Sequence, residues 1–178
     1  FTATAFETKV FAKPLFKIGH DVAGLLFPAH GLKDEIAAKK SMNKLSWNQL
    51  LEVTRETIME AHKLYRNVYI YGQSMGGAIA MIMAAEARVD GVAVTAPALK
   101  VDHWDKFLVK LLAWTRLIIY NKEEHEYFNE AYDFTSLQAA REVIKIAKIA
   151  RKNLKQIKCP VLVCHSQNDD TIDPSVVH

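Results

Sequence analysis

The sequence has only two cysteines, and they cannot bond to each other. Cys159 and Cys164 lie in one predicted strand, where an offset of five residues puts them on opposite faces. At about 3.3 Å per residue they are about 16 Å apart, whereas a disulfide needs Cα atoms within about 7 Å. A disulfide between them is therefore excluded, and the free thiols favour a reducing, cytoplasmic setting.

Long apolar runs and a strong charge of one sign are also missing. No run approaches the roughly 20 apolar residues that span a bilayer, because Lys110 and Arg116 interrupt the best candidate. We therefore expect no stable membrane insertion. The formal net charge is only +3, which argues against a nucleic-acid partner. The sequence has no ligand-spaced His/Cys cluster and no phosphate-binding loop, so we expect no metal and no cofactor.

Short Val- and Ile-rich runs alternate with helical runs along the 178 residues. This alternation predicts one α/β domain with a mostly parallel sheet that is covered on both faces. Strands are predicted at 20–27, 68–72, 91–97 and 159–166, and helices at 6–18, 47–65 and 75–87. Ser46 is a fitting N-cap for the second of these helices.

The connection between the strands that carry Pro97 and Pro160 is about sixty residues long, far more than one crossover needs. Its first part is helical in character, "WDKFLVKLLAWTRLIIY" especially. We therefore predict an inserted helical cap at 98–134 and a helix at 135–157 that returns to the sheet. The core domain then comprises 1–97 and 135–178.

The stretch "YGQSMGG" places one serine between a predicted strand and a predicted helix. A serine on such a tight turn is forced into an uncommon backbone conformation that costs about 1–3 kcal/mol. Gly72 and Gly76 are expected to supply room for the turn, and Gly77 to allow close packing of helix on sheet. The Oγ atom of Ser74 would then project above the sheet, with the Met75 N–H at a helix N-terminus. The alternative is a glycine-rich turn that merely packs well.

This stretch resembles the nucleophile elbow of the α/β-hydrolase superfamily, and of its monoacylglycerol lipase and carboxylesterase branch in particular. Residues 1–31 resemble the family stretch that begins "HGFTG" and ends "PGHG". The segment "LKQIKCPVLVCHSQNDDTIDP" resembles the family's I-x-x-P-x-L-V-x-x-G-x-x-D-x-x-V-x-P. The resemblance implies a three-layer α/β-hydrolase fold with a mostly parallel sheet and a helical cap.

The resemblance also implies roles for residues at both ends of the chain. Ser74 matches the nucleophile, and the Met75 amide matches one donor of the oxyanion hole. Phe1 matches the residue whose backbone nitrogen is the second donor. Asp169 matches the acid of the family pattern; Asp170 is the neighbouring alternative and Asp173 a more distant one. The same acidic loop could instead cap the next helix.

The proton acceptor for Ser74 is harder to find. In this fold the chain order is Ser, then the acid, then His, and only nine residues follow Asp169. His178 falls where a further helix should begin, and the six other histidines have the wrong place in the chain order. They are His20, His30, His62, His103, His125 and His165. We therefore expect an internal fragment, truncated at both ends and nearly inactive, whose catalytic histidine lies beyond His178.

The function implied is that of a serine carboxylic-ester hydrolase, with a small-molecule ester as its partner and an acyl-enzyme intermediate. Apolar residues of the predicted cap, Trp114 and Leu117 among them, suit a short or medium acyl chain, or else pack the cap onto the core. Acyl transfer, peptide cleavage and lactone cleavage are alternatives within the same fold. A non-catalytic hydrolase-like binding protein is an alternative of another class.

Overall fold

The computed structural model describes residues 8–100, 109, 112–120, 132–169 and 172–177. Its helices are α1 (Lys9–Lys17), α2 (Glu35–Met42), α3 (Trp47–Leu64), α4 (Met75–Ala85) and α5 (Leu137–Asn153). Its strands are β1 (Tyr69–Gln73), β2 (Gly91–Thr95), β3 (Ile118–Tyr120), β4 (Phe134–Ser136) and β5 (Val161–Cys164). Short 3₁₀ turns follow α5 and β5, at Leu154–Gln156 and Pro174–Val177.

Strands β1, β2 and β5 form a parallel sheet with β2 in the centre. The register pairs Gln73 with Thr95 and Thr95 with Cys164, so the carboxyl ends of the three strands lie at one edge. In the centre of the sheet, Val92 and Val94 are buried. The predicted parallel sheet is thus confirmed. The residues that follow β1, β2 and β5 therefore all lie at its carboxyl edge.

Helix α4 is the crossover from β1 to β2 and forms the centre of the core. Nine of its eleven residues are buried, from Met75 to Ala84, because it packs against β1 and β2 on one side and against α5 on the other. A helix that is apolar on all sides is stable only when it is enclosed in this way. Helix α3 completes the layer by packing against α4 and α5.

The start of α3 is fixed by two sets of hydrogen bonds. The Ser46 hydroxyl and the Gln49 side chain each accept from the other residue's backbone N–H, as a capping box does. The Trp47 N–H donates at 3.0 Å to Oε2 of Glu142, a buried residue of α5. Lys145 Nζ lies 2.7 Å from the other oxygen of that carboxylate. The predicted N-cap is therefore confirmed, and α5 supplies a second cap from a distance.

The strand predicted at 20–27 is wrong. These residues have no regular secondary structure, and most of them are exposed. A strand needs a neighbour for its backbone groups, and among the described residues the parallel sheet ends at β1. The helix predicted at 6–18 is present as α1, with Pro14 inside it.

The helical prediction for the end of the cap is also wrong. Ile118–Tyr120 form β3, which pairs antiparallel with β4. Two consecutive β-branched isoleucines favour an extended chain once a partner strand is available. Because β4 takes Phe134–Ser136, helix α5 begins at Leu137 and not at 135, and the Ser136 side chain caps it. The rest of the predicted cap lies outside the described residues, apart from 98–100, 109, 112–117 and 132–133.

Within the described ranges, no helix is both long enough and apolar enough to cross a membrane. The two cysteines are both free.

Candidate active site at the carboxyl edge of the sheet

A single residue, Ser74, connects the end of β1 to the start of α4. Its backbone has φ 50° and ψ −116°, a region that residues with a side chain rarely occupy. Its N–H donates to the Thr95 carbonyl at 3.0 Å, and its own carbonyl accepts from Ala78 at 3.1 Å and from Ala98 at 2.9 Å. The strained conformation is therefore held on both sides, by the end of β2 and by the first turn of α4.

Of the three glycines in the turn, Gly72 is sterically required and Gly77 is tightly packed. A Cβ atom on Gly72 would lie 2.2 Å from the Gly76 carbonyl oxygen, and one on Gly77 would lie 3.1 Å from two carbons of Pro97. Gly76 is different, since a Cβ there would meet no described atom within 4 Å. The expectation that Gly76 supplies room through its missing side chain is therefore wrong. The room is needed at Gly72, because the backbone of residue 76 passes close to it.

Met75 is the first residue of α4, and its side chain is buried. The first N–H groups of an α-helix have no partner inside the helix, and the helix dipole adds positive potential at that end. The half-buried Ser74 side chain stands immediately before these groups. In the described part of the chain, no hydrogen bond to its Oγ is present.

Asp169 follows β5 at the same edge of the sheet. Its Oδ1 accepts the Ile172 N–H at 2.9 Å, and its Oδ2 lies 3.1 Å from Nε2 of His165. Strands β1 and β5 are separated by β2, which places their ends about 10 Å apart at about 4.8 Å per strand. Ser74 and Asp169 therefore both follow strands at the same edge of the sheet.

Asp173, the most distant of the three candidate acids, is engaged in other contacts. Its Oδ1 accepts the Ser175 N–H at 2.9 Å, and its Oδ2 lies 3.0 Å from Lys100 Nζ. Hydrogen bonds from the backbone and side chain of Ser175, and from Lys100, lower the pKa of Asp173 to about 2. It starts the 3₁₀ turn that follows, so the helix-capping interpretation of the acidic loop applies to this residue. Asp170 lies outside the described residues.

Three of the four described histidines, all but His20, have side-chain partners. His30 is buried, with Nδ1 2.9 Å from the Pro28 carbonyl, and His62 Nε2 lies 2.9 Å from the Arg88 carbonyl. His165 contacts Asp169, as given above. Phe1, His103, His125 and His178 lie outside the described residues. The contact between His165 and Asp169 was not predicted; its only signal in the sequence is a histidine four residues before the aspartate.

Elsewhere among the described residues, no group of three or more His, Cys, Asp or Glu side chains is arranged to hold a metal ion. A cleft of about 380 Å³ is lined by six residues near α2 and β4 that include neither Ser74 nor Asp169. We therefore do not assign that cleft to the site. Its lining residues are Leu32, Lys33, Glu35, Tyr132, Asp133 and Phe134.

The family profile Hydrolase_4, described as serine aminopeptidase S33, matches residues 2–126. The chain belongs to this family. The match includes Ser74 and Met75 and ends before Asp169. The S33 family assignment therefore covers the elbow, whereas the acidic loop depends on the position of β5 in the fold. No curated protein sequence matches the chain.

Solved structures similar to this S33 chain have the α/β-hydrolase fold. A structure of the metagenome-derived lipolytic enzymes LipS and LipT has a TM-score of 0.87 at 21% identity, covering 99% of this chain and 72% of the other. Paleococcus ferrophilus monoacylglycerol lipase has a TM-score of 0.78 at 20% identity, covering 98% and 73%. A soluble variant of Saccharomyces cerevisiae monoglyceride lipase has a TM-score of 0.57 at 18% identity, covering 86% and 59%. The predicted fold class is confirmed.

Proposed function

We propose that this chain carries the catalytic serine of a carboxylic-ester hydrolase of the carboxylesterase or monoacylglycerol lipase type. The observation that carries the proposal is the backbone of Ser74, with φ 50° at the carboxyl end of β1. Strain of about 1–3 kcal/mol persists only where the surrounding structure fixes it, and a serine that merely packs does not need it. The structural similarity to lipolytic enzymes and to a monoacylglycerol lipase supports ester substrates for this chain as well.

In the proposed reaction, Ser74 Oγ attacks the carbonyl carbon of the ester while a base takes its proton. The bond from that carbon to the alcohol oxygen then breaks, the alcohol leaves with the proton, and the acyl group stays on Ser74. Water attacks the acyl-enzyme in the same way and releases the acid. The proposed base is a histidine outside the described residues.

The negative charge on the carbonyl oxygen needs donors that are in place before the reaction. The Met75 N–H is suited to this because it begins a buried helix directly after the nucleophile. We propose it as one donor and the backbone nitrogen of Phe1 as the other. Loss of one such donor costs about 10²–10³ in rate.

Asp169 is proposed as the acid that fixes the tautomer and orientation of the base. It follows β5 at the edge that also carries Ser74, and its contacts include the Ile172 N–H at Oδ1 and His165 Nε2, which lies 3.1 Å from Oδ2. Asp173 is the weaker candidate because its carboxylate pairs with the Lys100 ammonium and caps the 3₁₀ turn through the Ser175 N–H.

The proposed substrates are esters of short or medium acyl chains. The described part of the predicted cap contains exposed apolar side chains, Trp114 at 77% and Leu117 at 49% exposure, which are available to an acyl chain. Leu112, by contrast, packs against the buried cluster of Leu137 and Ala140. The cap residues thus divide between packing and a surface that could meet substrate.

The test uses the full-length protein and p-nitrophenyl esters from acetate to palmitate, with fluorophosphonate labelling as a second measurement. We expect turnover with a maximum at short or medium chains, and a loss of about 10⁴-fold or more in Ser74→Ala. Ser41→Ala, a serine on α2, is the matched control and should keep both turnover and labelling. Turnover that survives in Ser74→Ala would refute the proposal.

The identity of the acid is tested in the same assay. Asp169→Asn should lower turnover about 10⁴-fold, as loss of the correct base tautomer does, whereas Asp170→Asn should keep most of it. The reverse result would transfer the role to Asp170.

A second candidate activity is peptide cleavage, because the family is described by its serine aminopeptidases. The same serine could attack an amide carbonyl, and the same backbone N–H groups would stabilise the oxyanion that forms. Aminoacyl p-nitroanilides, assayed beside the esters, separate the two activities. A higher kcat/KM on the anilides would make the protein a peptidase.

A further inference from the structure

We propose that His165 is a positioning residue that holds the Asp169 carboxylate in the orientation that the catalytic base requires. This inference rests on the proposed function, in which Asp169 is the acid. His165 directly follows β5, and Asp169 lies four residues later in the loop. The side chain of His165 is only 3% exposed.

The contacts of the ring fix its tautomer. Nε2 lies 3.1 Å from Asp169 Oδ2 and 3.0 Å from the Ile172 carbonyl oxygen. Both neighbours are acceptors, so Nε2 must carry a hydrogen for either contact to be a hydrogen bond. Nδ1 is buried and has no partner among the described residues.

The unpartnered nitrogen argues against a role in packing alone. A buried polar atom without a hydrogen bond lowers stability, and an aromatic or aliphatic side chain would fill the same space without that cost. What His165 adds is the polar atom Nε2, which bonds the Ile172 carbonyl and lies 3.1 Å from the Asp169 carboxylate. These contacts indicate that His165 is needed for Nε2 and not for Nδ1.

The contact with His165 limits the rotation of the Asp169 carboxylate group. Oδ1 accepts the Ile172 N–H and Oδ2 lies 3.1 Å from His165 Nε2, so rotation about the last side-chain bond would lengthen at least one of the two contacts. His165 also contacts the Ile172 carbonyl, which closes the loop from 165 to 172 at its base. A fixed carboxylate keeps the base in one orientation, and orientation contributes directly to rate.

Glutamine and asparagine at position 165 separate this role from a structural one. The amide nitrogen of glutamine reaches about as far as Nε2, whereas that of asparagine reaches only about as far as Nδ1. The two variants have similar polarity and disturb the buried site in similar ways. In the full-length protein we expect His165→Gln to keep kcat within about threefold, and His165→Asn to lower it tenfold or more with KM unchanged.

His62→Asn is the matched control. His62 also contacts a backbone carbonyl through Nε2, but it lies on α3 and touches no carboxylate among the described residues. Its kcat should equal that of the parent. Urea midpoints measured for each variant would show whether a loss of kcat only reflects loss of fold. Equal kcat in His165→Gln and His165→Asn, whether high or low, would overturn the proposal.

A second measurement does not depend on esterase activity. Nitrogen-detected NMR of the imidazoles should show His165 as the Nε2–H tautomer at neutral pH, with its Nε2 resonance displaced in Asp169→Ala. An Nδ1–H tautomer, or an Nε2 chemical shift that is the same in the parent and in Asp169→Ala, would show that His165 does not interact with Asp169. If the parent protein neither cleaves esters nor reacts with a fluorophosphonate, the proposed function fails, and the NMR result still decides whether His165 holds Asp169.

Discussion

The elbow offers a matched pair of substitutions whose effects on stability should have opposite signs. Gly72→Ala and Gly76→Ala make the same chemical change four residues apart. At Gly72 the added Cβ would lie 2.2 Å from the Gly76 carbonyl oxygen, 2.4 Å from its carbon and 2.7 Å from the Gly77 nitrogen. At Gly76 it would meet no described atom within 4 Å.

The magnitudes follow from these distances. A carbon and a carbonyl oxygen normally stay about 3.3 Å apart or more, so Gly72→Ala must move the start of α4 by about 1 Å. Overpacking of this kind costs about 1–3 kcal/mol and occasionally more; contact with three backbone atoms puts our estimate at the upper end, about 3 kcal/mol. Gly76 lies in the first turn of α4, and its φ is not positive. Alanine there should therefore raise the free energy of unfolding by about 0.5–1 kcal/mol.

Urea unfolding followed by circular dichroism measures both effects. With a slope of about 2 kcal/mol per molar urea, the two midpoints should differ by about 2 M. Ester turnover adds a second difference, since a displacement of about 1 Å at a catalytic group can cost about 10²-fold in rate. Equal midpoints for the two variants, or a Gly76→Ala that is the less stable one, would refute the steric account of the elbow.

Two further predictions concern strain and charge at the same edge of the sheet. Ser74→Gly should be more stable than Ser74→Ala by about 1 kcal/mol in urea unfolding, because glycine adopts a positive φ without steric cost; equal stabilities would mean that the backbone at 74 is not strained. Asp173 has a pKa lowered to about 2, so its contribution to stability is present above its ordinary pKa of about 3.8 and is lost as the pH falls toward 2. The urea midpoints of the parent and of Asp173→Asn should therefore converge over that range of pH, and a gap that stays constant would contradict the assignment.

The elements that could be predicted are those whose signal is local. The periodic apolar residues of α3, its Ser46 cap and the strand-to-helix junction at Ser74 each lie within one stretch of sequence, and the structure has all three. The parallel arrangement of β1, β2 and β5 followed from the helices between them. The family stretch around the elbow is local for the same reason, since the turn needs particular residues at fixed offsets.

The elements that failed depend on partners distant in sequence. A run such as 20–27 has the composition of a strand, but composition does not say whether a neighbouring strand exists. Ile118–Tyr120 lie in a stretch that predicts a helix, but they form a strand because β4, which begins sixteen residues later, pairs with them. Gly76 matches the motif, but the structure shows that the missing side chain matters at Gly72, where the backbone of residue 76 passes close by. The His165–Asp169 contact likewise depends on how the loop folds back.

The elbow is tied to the chain that leads into the predicted cap. Ala98, where that segment begins, donates its N–H to the Ser74 carbonyl at 2.9 Å, and Pro97 packs against Gly77. Ala96, between β2 and this proline, also has a positive φ, 43°, and its N–H is held by the Cys164 carbonyl of β5 at 2.9 Å. Strained residues thus follow two adjacent strands, and each is bonded across to the next strand. Because the serine, the exit to the cap and the end of β5 share these hydrogen bonds, a shift at any one of them changes the geometry of the other two. Backbone hydrogen bonds at the carboxyl edge of the sheet therefore position three features together: the proposed nucleophile, the start of the predicted cap and the loop that carries the proposed acid.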